Sequence, residues 1–236
     1  MRRSPVKPEI LYEDNDIIVC RKPANIAVQT AALSSGDLVS VLKNHLYRQA
    51  RKASTPQKGE PYLAVIHRLD QPVEGLLVFG KTKKAASDLS RQLQKDHFGK
   101  YYKAVVQGFA PMDEGELCDY LVKDGKTNLS RVCTPSTPGA KKASLHYRVL
   151  SKKEEKGVTL SLLEIHLHTG RHHQIRVQLA HAGCPLLGDR KYNPTGLCVS
   201  GLALCACRLE FLHPVTKELM RFETESQSPS FEFPIF

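Results

Sequence analysis

Residues 61–82 read PYLAVIHRLDQPVEGLLVFGKT and decide the fold more than any other stretch. Two apolar runs, 62–66 and 76–79, flank the ionisable cluster 67–70. Such runs are typical of buried strands, and the Pro and Gly at 71–75 predict the turn between them. A carboxylate and a guanidinium held between two strands have the rigid support that a reactive group needs. From these residues alone, a structural Asp–Arg pair that caps a loop is favoured over a catalytic role.

The rest of the chain predicts a single α+β domain over residues 1–236, with a mixed, largely antiparallel β-sheet flanked by helices and loops. Strands are expected where β-branched and aromatic residues cluster, and helices where apolar residues recur at helical spacing. The expected strands are 99–108, 143–150, 159–168, 202–212 and a hairpin over 10–22. The expected helices are 37–52 (capped by Ser35 or Asp37), 85–97 and 171–182. Residues 111–142 are rich in Pro, Gly, Ser, Thr and Lys, which predicts loops with weak strands at best.

Residues 169–192 give the second strong signal. A strand is expected to end at Gly170, and a helix follows with Gly183 as its C-terminal cap. On that helix Arg171 and Arg176 lie five residues apart and point in different directions, so only one of them is expected to serve a given spot.

Three motifs together resemble the RluA-type pseudouridine synthases. His67-Arg68-Leu69-Asp70, followed by a Gly-Leu-Leu strand and Lys-Thr, is similar to the catalytic motif of that family. Lys100-x-Tyr102-x-Ala104 is similar to its second motif. The stretch from Gly170 to Val177, which contains Gln-Ile-Arg and precedes a Gly-Asp, is similar to its third. With the entry hairpin that leads into Lys22-Pro23, the resemblance covers nearly the whole chain.

The resemblance implies the pseudouridine synthase fold and a set of catalytic residues. Asp70 corresponds to the essential catalytic carboxylate, Tyr102 to an aromatic platform for the base, and Arg176 to the arginine that pairs with the carboxylate. A guanidinium beside Asp70 keeps a carboxylate ionised in a water-poor cleft. A tyrosine in a strand is more often simply a core residue. The chain starts almost at this catalytic domain, so we expect a short form without the S4-like N-terminal RNA-binding module of many relatives.

The resemblance also implies residues that handle the RNA. Arg68, beside Asp70, is expected to fill the space left when the target uridine leaves its stack. His67 and Arg171 are expected to join it in binding the RNA.

The implied reaction needs no cofactor. Isomerisation breaks the N1–C1′ bond of uridine, turns the base and rejoins it through C5, so no electron or group is gained. No phosphate-cradling glycine motif appears in the chain. Whether Asp70 acts as a nucleophile or as the base that starts glycal formation stays open.

Two positions depart from the family's pattern. Val73-Glu74 stands where the family usually has Thr-Ser, and Gln178 stands where it has His. Glu74 adds a second carboxylate four residues from Asp70, which is expected to alter local electrostatics or substrate choice.

The charge balance favours a polyanionic partner. Lys and Arg total 34 against 24 Asp and Glu, a formal net charge of +10. A surplus of this size is typical of proteins that bind nucleic acid. The resemblance implies that this partner is RNA, and we expect ribosomal or transfer RNA. The charge surplus says nothing about sequence preference.

The remaining composition predicts a cytoplasmic monomer. Seven scattered cysteines show no disulfide rhythm, which fits a reducing compartment. No apolar run approaches the about 20 residues that span a membrane, and the basic N-terminus lacks the apolar core of a signal peptide. Neither Cys198, Cys205 and Cys207 nor the histidines at 172, 173 and 181 have metal-ligand spacing, so no metal is expected.

Two other functions remain open on the sequence. A catalytically silent RNA-binding protein of the same fold would have lost Asp70, Tyr102 or Arg176, and none is replaced. A metal-dependent nuclease built on the histidines and acids of residues 164–189 would require clustered metal ligands.

Overall fold

The computed structural model describes residues 8–30, 36–52, 59–95, 97–108, 110, 112–155 and 157–232. The chain forms two compact units. Unit 1 comprises residues 1–98 and 209–224, and unit 2 comprises residues 99–208 and 225–236. The described helices are too short or too polar to cross a membrane.

Unit 1 is built around two fully buried strands. Its elements are β1 (Glu9–Glu13), β2 (Ile17–Lys22), α1 (Leu38–Lys52), β3 (Ala64–Val65), β4 (Glu74–Gly80), α2 (Lys83–Gln94), the end of β10 (Leu204–Leu212) and β11 (Leu219–Glu223). The strand order is β1-β2-β4-β10, with β3 on β4 and β11 on β10. Strands β2 and β4 are antiparallel and buried along their whole length, which explains the apolar runs 17–20 and 76–79 within them.

Both helices of unit 1 begin at side-chain caps. Asp37 Oδ1 accepts from the Ser40 N–H at 2.7 Å, whereas the alternative cap, Ser35, lies outside the described residues. Thr82 Oγ1 accepts from the Ala85 N–H at 3.1 Å and starts α2. A Cβ at Gly80 would lie 2.9 Å from the Ala86 nitrogen, so glycine is required where β4 turns into α2.

Unit 2 is an antiparallel sheet with one helix against it. Its elements are β5 (Gly99–Gln107), β6 (Glu114–Asp124), β7 (Leu129–Cys133), β8 (Lys141–Glu155), β9 (Val158–Leu167), α3 (Gln174–His181) and the start of β10. The strand order is β10-β5-β9-β8-β6-β7. Helix α3 packs on the sheet through Val177, which contacts Leu121 and Ala143.

These elements confirm the predicted α+β class with a largely antiparallel sheet. The prediction for residues 111–142 was wrong, because they form all of β6 and β7 and the start of β8. Exposed polar residues alternate there with inward ones, and β8 supplies the hydrogen-bonding partner that a sequence pattern does not reveal. Strand β11 was not predicted, and β3 is shorter than the apolar run 62–66.

Candidate active site

The motif loop of unit 1 places Asp70 on a turn between β3 and β4. The Val73 N–H donates to the Asp70 carbonyl at 3.0 Å and closes the turn. Leu69 and Val73 are buried on either side, so the half-buried Asp70 is held between two anchored residues. Arg68 is exposed next to it. The loop is therefore fixed while its carboxylate and guanidinium stay accessible.

His67 packs inside unit 1. Its ring meets the edge of Phe98 with centroids 5.3 Å apart, and its Nε2 accepts from the Val78 N–H at 3.4 Å. These contacts attach the start of the motif to β4. The predicted RNA contact of His67 stays a prediction.

A buried lysine, Lys22, contacts the motif loop, and the sequence indicated no role for it. Lys22 has no exposed surface, and its Nζ donates to the carbonyls of Pro23, Ile26 and Gln71 at 3.0, 2.9 and 3.1 Å. Burial lowers the pKa of Lys22 to about 8, and the negative charges of Asp70 and Glu74 oppose that shift. Lys22 thus ties the turn that follows Asp70 to β2 and places a cation near the carboxylate.

Glu74, the departure from the family pattern, is buried in an ion pair. Its Oε2 accepts from Arg21 NH2 at 2.9 Å, and both side chains are almost completely buried. The second carboxylate is therefore balanced by a cation of its own on β2. The sequence indicated neither this partner nor the burial.

Unit 2 carries the other two predicted catalytic residues. Tyr102 lies on β5, is 6% exposed and pairs in register with Ile165. Arg176 lies on α3 and is 4% exposed. Its Nε donates to Asp189 Oδ2 at 2.8 Å and its NH2 to Asp189 Oδ1 at 2.7 Å. This bidentate contact fixes the plane of the guanidinium.

Asp189 is a strongly satisfied partner for that arginine. Its Oδ1 also accepts from the backbone N–H groups of Lys191 and Tyr192 at 3.0 and 3.3 Å. Burial raises the pKa of Asp189, but the hydrogen bonds and charge of Arg176 outweigh burial and lower the pKa overall. The Gly-Asp after the third motif was noticed in the sequence, yet nothing in its spacing indicated that this Asp pairs with Arg176. The predicted pairing of Arg176 with Asp70 stays a prediction.

Tyr192 joins three parts of unit 2 around this pair. Its hydroxyl accepts from the Ser130 N–H of β7 at 2.8 Å and bonds His173 Nδ1 at 2.8 Å. Its ring lies below the guanidinium of Arg176, 5.2 Å from centroid to Cζ. Tyr192 therefore links β7, the start of α3 and the Arg176–Asp189 pair.

Helix α3 begins three residues later than predicted. His173 has φ 54°, a left-handed conformation that cannot be part of a right-handed helix, so α3 starts at Gln174. Arg171 consequently lies before the helix, exposed, and its Nε donates to the Lys142 carbonyl at 2.9 Å. The expectation that Arg171 and Arg176 share one helix was wrong.

The cysteines and histidines show no metal site within the described residues, where no three His, Cys, Asp or Glu side chains are grouped suitably. Burial raises the pKa of Cys20 to about 12 and that of Cys184 and Cys207 to about 11, so these thiols are protonated at neutral pH. They are buried core residues.

Comparison with known proteins identifies relatives of most of the chain. Ribosomal large subunit pseudouridine synthase D of Neisseria meningitidis serogroup B is 36% identical over 231 residues, which cover 93% of this chain and 58% of the relative. An uncharacterized RNA pseudouridine synthase of Aquifex aeolicus is 35% identical over 236 residues, covering 93% of this chain and 71% of the relative. The chain thus spans less than two thirds of the Neisseria protein.

Solved structures share the fold. Human RNA Pseudouridylate Synthase Domain Containing 4 superimposes with a TM-score of 0.74 at 23% identity, covering 95% of this chain and 92% of that one. Residues 16–181, a span that contains Asp70, Tyr102 and Arg176, match the family model described as RNA pseudouridylate synthase. The family resemblance predicted from the three motifs is confirmed: the chain belongs to the RNA pseudouridylate synthase family.

Proposed function

We propose that the protein isomerises specific uridines in structured RNA to pseudouridine, acting as one catalytic domain. The observation that carries the proposal is Asp70 itself. Asp70 lies within the span that matches the family model, on an anchored turn, half-buried, with the buried cation Lys22 nearby. The reaction conserves atoms, because the N1–C1′ bond is replaced by a C5–C1′ bond while C5 loses one proton and N1 gains one. A fixed carboxylate supplies what this chemistry needs, without a cofactor.

The other predicted residues receive distinct roles in this proposal. Asp70 attacks the ribose or starts glycal formation, and Tyr102 forms the platform for the base. Arg176 stabilises the charge of the catalytic carboxylate Asp70, and Asp189 holds the guanidinium of Arg176 in one plane. Arg68 fills the space left by the flipped uridine. His67 and Arg171 contribute to RNA binding.

We infer that the substrate is ribosomal or transfer RNA, and the names of the curated relatives favour ribosomal RNA. The seven cysteines are free thiols, which supports a reducing compartment such as the cytoplasm. We propose a monomer, because isomerisation at one carboxylate requires no second copy.

Deletion of the gene in its source organism tests the proposal. Pseudouridine mapped across ribosomal and transfer RNA should disappear at one or a few uridines and return with the wild-type gene. Complementation with Asp70→Asn should leave those uridines unmodified at equal protein level. An unchanged pseudouridine map in the deletion strain would contradict the proposed activity.

A further inference from the structure

The two faces of the unit 2 sheet can be told apart by register. Strand pairing through β9 places Tyr102 and Tyr147 on the same face. Alternation along β8 puts Ala143 and Lys141 on that face as well. Ala143 packs against Val177 of α3. We name this face the helix side; it carries Tyr102 on β5 and, at β6 and β8, the helix that carries Arg176.

Exposed cations gather at the β6–β8 end of the helix side. Lys141 pairs in register with Leu121, and Lys123 lies two residues further on the same face. Both are exposed, and the ion pairs formed among the described residues involve neither of them. Asp119, which is the carboxylate on this face of β6, accepts a hydrogen bond from Gln178 Nε2 at 2.7 Å. The two lysines therefore carry charge that no carboxylate of the described chain balances.

Further cations adjoin these two lysines. Lys126 lies exposed at the tip of the β6–β7 hairpin. Lys191 Nζ donates to the Asn128 carbonyl in that hairpin at 3.1 Å. Arg171 reaches the carbonyl of Lys142, the residue after Lys141. We name this set the cationic edge; it consists of Lys123, Lys126, Lys141, Arg171 and Lys191.

The reverse face of the same strands has a different charge pattern. Arg131 pairs in register with Val122 and Lys142 with Tyr120, which places both cations on this face. Acidic and basic side chains balance here, and two pairs are in contact: His146 with Glu114 at 3.0 Å and Arg148 with Glu164 at 3.3 Å. The acidic residues on this face are Glu114, Glu116, Asp124 and Glu164. The excess positive charge thus lies on the side of Tyr102 and Arg176.

We propose that the cationic edge binds the phosphate backbone of the RNA at a distance from the modified uridine. This inference rests on the proposed function, which puts the uridine at Tyr102 and Arg176. Lys141 lies six residues along β8 from Tyr147, about 20 Å, and β8 lies two strand spacings from β5, about 10 Å. The separation of about 22 Å corresponds to roughly six base steps of 3.4 Å. The cationic edge therefore contacts nucleotides about six positions from the target uridine. The bound RNA must accordingly extend beyond the nucleotide that reacts.

An acidic protein segment would also be attracted to such a surface. RNA is the favoured partner because the excess charge shares a face with the two catalytic side chains, whereas a protein partner gives no reason for that coincidence. The test below separates the two.

Two matched variants test the proposal. Lys123→Gln/Lys141→Gln removes two charges from the helix side, and Arg131→Gln/Lys142→Gln removes two from the reverse face of the same strands. All four side chains are exposed. The probe is a fluorescein-labelled 25-nucleotide oligouridylate, whose affinity is measured against salt concentration. Thermal melting and circular dichroism check that both variants stay folded, and the single variants Lys123→Gln and Lys141→Gln provide intermediate steps.

The helix-side variant should reduce the slope of log affinity against log salt by about 1.4, since each phosphate contact to a single strand contributes about 0.7. The reverse-face variant should retain the wild-type slope. An unchanged slope in the helix-side variant, equal losses in both variants, or no binding of the probe by the wild type would overturn the proposal; the first outcome would exclude RNA as the partner of the cationic edge. Isomerisation of ribosomal RNA by the wild type, measured separately, reports on the proposed function independently.

Discussion

Each of the two units contains a buried arginine–carboxylate pair, and the two pairs are built differently. In unit 2, Arg176 and Asp189 share two hydrogen bonds, and Asp189 accepts two more from backbone N–H groups. In unit 1, Arg21 and Glu74 share one contact at 2.9 Å, and Glu9 lies 3.9 Å from the other end of the guanidinium. Arg21 Nε is buried without a hydrogen-bond partner.

The difference shows which pair fixes geometry. A bidentate, fully satisfied pair holds a guanidinium in one orientation, so Arg176 is aligned by residues of its own unit. The Arg21–Glu74 pair is less satisfied and leaves Lys22 nearby as a further cation. We infer that the unit 2 pair fixes the orientation of the Arg176 guanidinium. The unit 1 pair instead compensates buried charge close to Asp70.

Among the substitutions that compare the two pairs, removal of Arg176 should lower the isomerisation rate most. Arg176→Met should lower single-turnover isomerisation by at least about a hundredfold, because a positioned charge at the reaction is lost. RNA affinity should change little, since the guanidinium is buried and bound to Asp189. Rapid-quench turnover and equilibrium binding on the same RNA measure the two effects.

The double variant Arg176→Met/Asp189→Asn provides the control for stability. Arg176→Met alone leaves a buried carboxylate without its cation and should cost on the order of 3–5 kcal/mol of unfolding free energy. The double variant should recover part of that stability and none of the turnover. Recovered turnover would assign Arg176 a structural role alone.

Isosteric loss of each carboxylate compares the two pairs directly. Asp189→Asn should cost on the order of 3–5 kcal/mol, and Glu74→Gln should cost less, because Glu9 still faces Arg21. The pKa of Asp189 is lowered on folding, so its contribution is present above the unfolded value of about 3.9 and is lost as the pH falls further. Urea unfolding at pH 7 and at about pH 2.5 should therefore show a smaller difference between Asp189→Asn and wild type at the lower pH. A larger cost for Glu74→Gln would reverse the comparison.

Lys22 should make stability depend on pH in the opposite range. The pKa of Lys22 falls from about 10.4 in the unfolded chain to about 8 in the folded protein. The folded state therefore binds fewer protons between these values, and the unfolding free energy of the protein rises with pH across this range. The gain relative to Lys22→Met should be on the order of 3 kcal/mol between pH 8 and 10.5. Comparing the two proteins at each pH cancels the ionisation of the buried thiols. A constant difference across this range would show that Lys22 is not a buried cation.

Tyr192→Phe should give the smallest change. The ring below Arg176 stays, whereas the hydroxyl that bonds Ser130 and His173 is lost. We expect a loss of about 1–2 kcal/mol in unfolding free energy and a severalfold lower turnover at unchanged RNA affinity. Tyr192→Leu, which also removes the ring, should lower turnover further. Equal turnover in both variants would exclude a role for the ring in holding Arg176.

The sequence predicted those features that local pattern determines. Apolar runs, capping residues and three motifs were enough for the α+β class, most strands and the positions of Asp70, Tyr102 and Arg176. It did not indicate the Arg176–Asp189 and Arg21–Glu74 pairs, because partners far apart in the chain leave no local periodicity. It also missed the left-handed His173 that delays α3, since nothing around an L-residue in that conformation marks it in advance.

The central claim is that the protein isomerises uridine and that Asp70 is the catalytic carboxylate. One comparison tests this claim most directly. Purified wild-type protein and Asp70→Asn are incubated with ribosomal RNA from the deletion strain, and pseudouridine is quantified over time. The substitution keeps the shape of the side chain and removes its charge, so fold and RNA affinity should match wild type. We predict that the wild type restores the missing pseudouridine and that the variant is slower by at least about a thousandfold. A variant within tenfold of wild type would contradict the account.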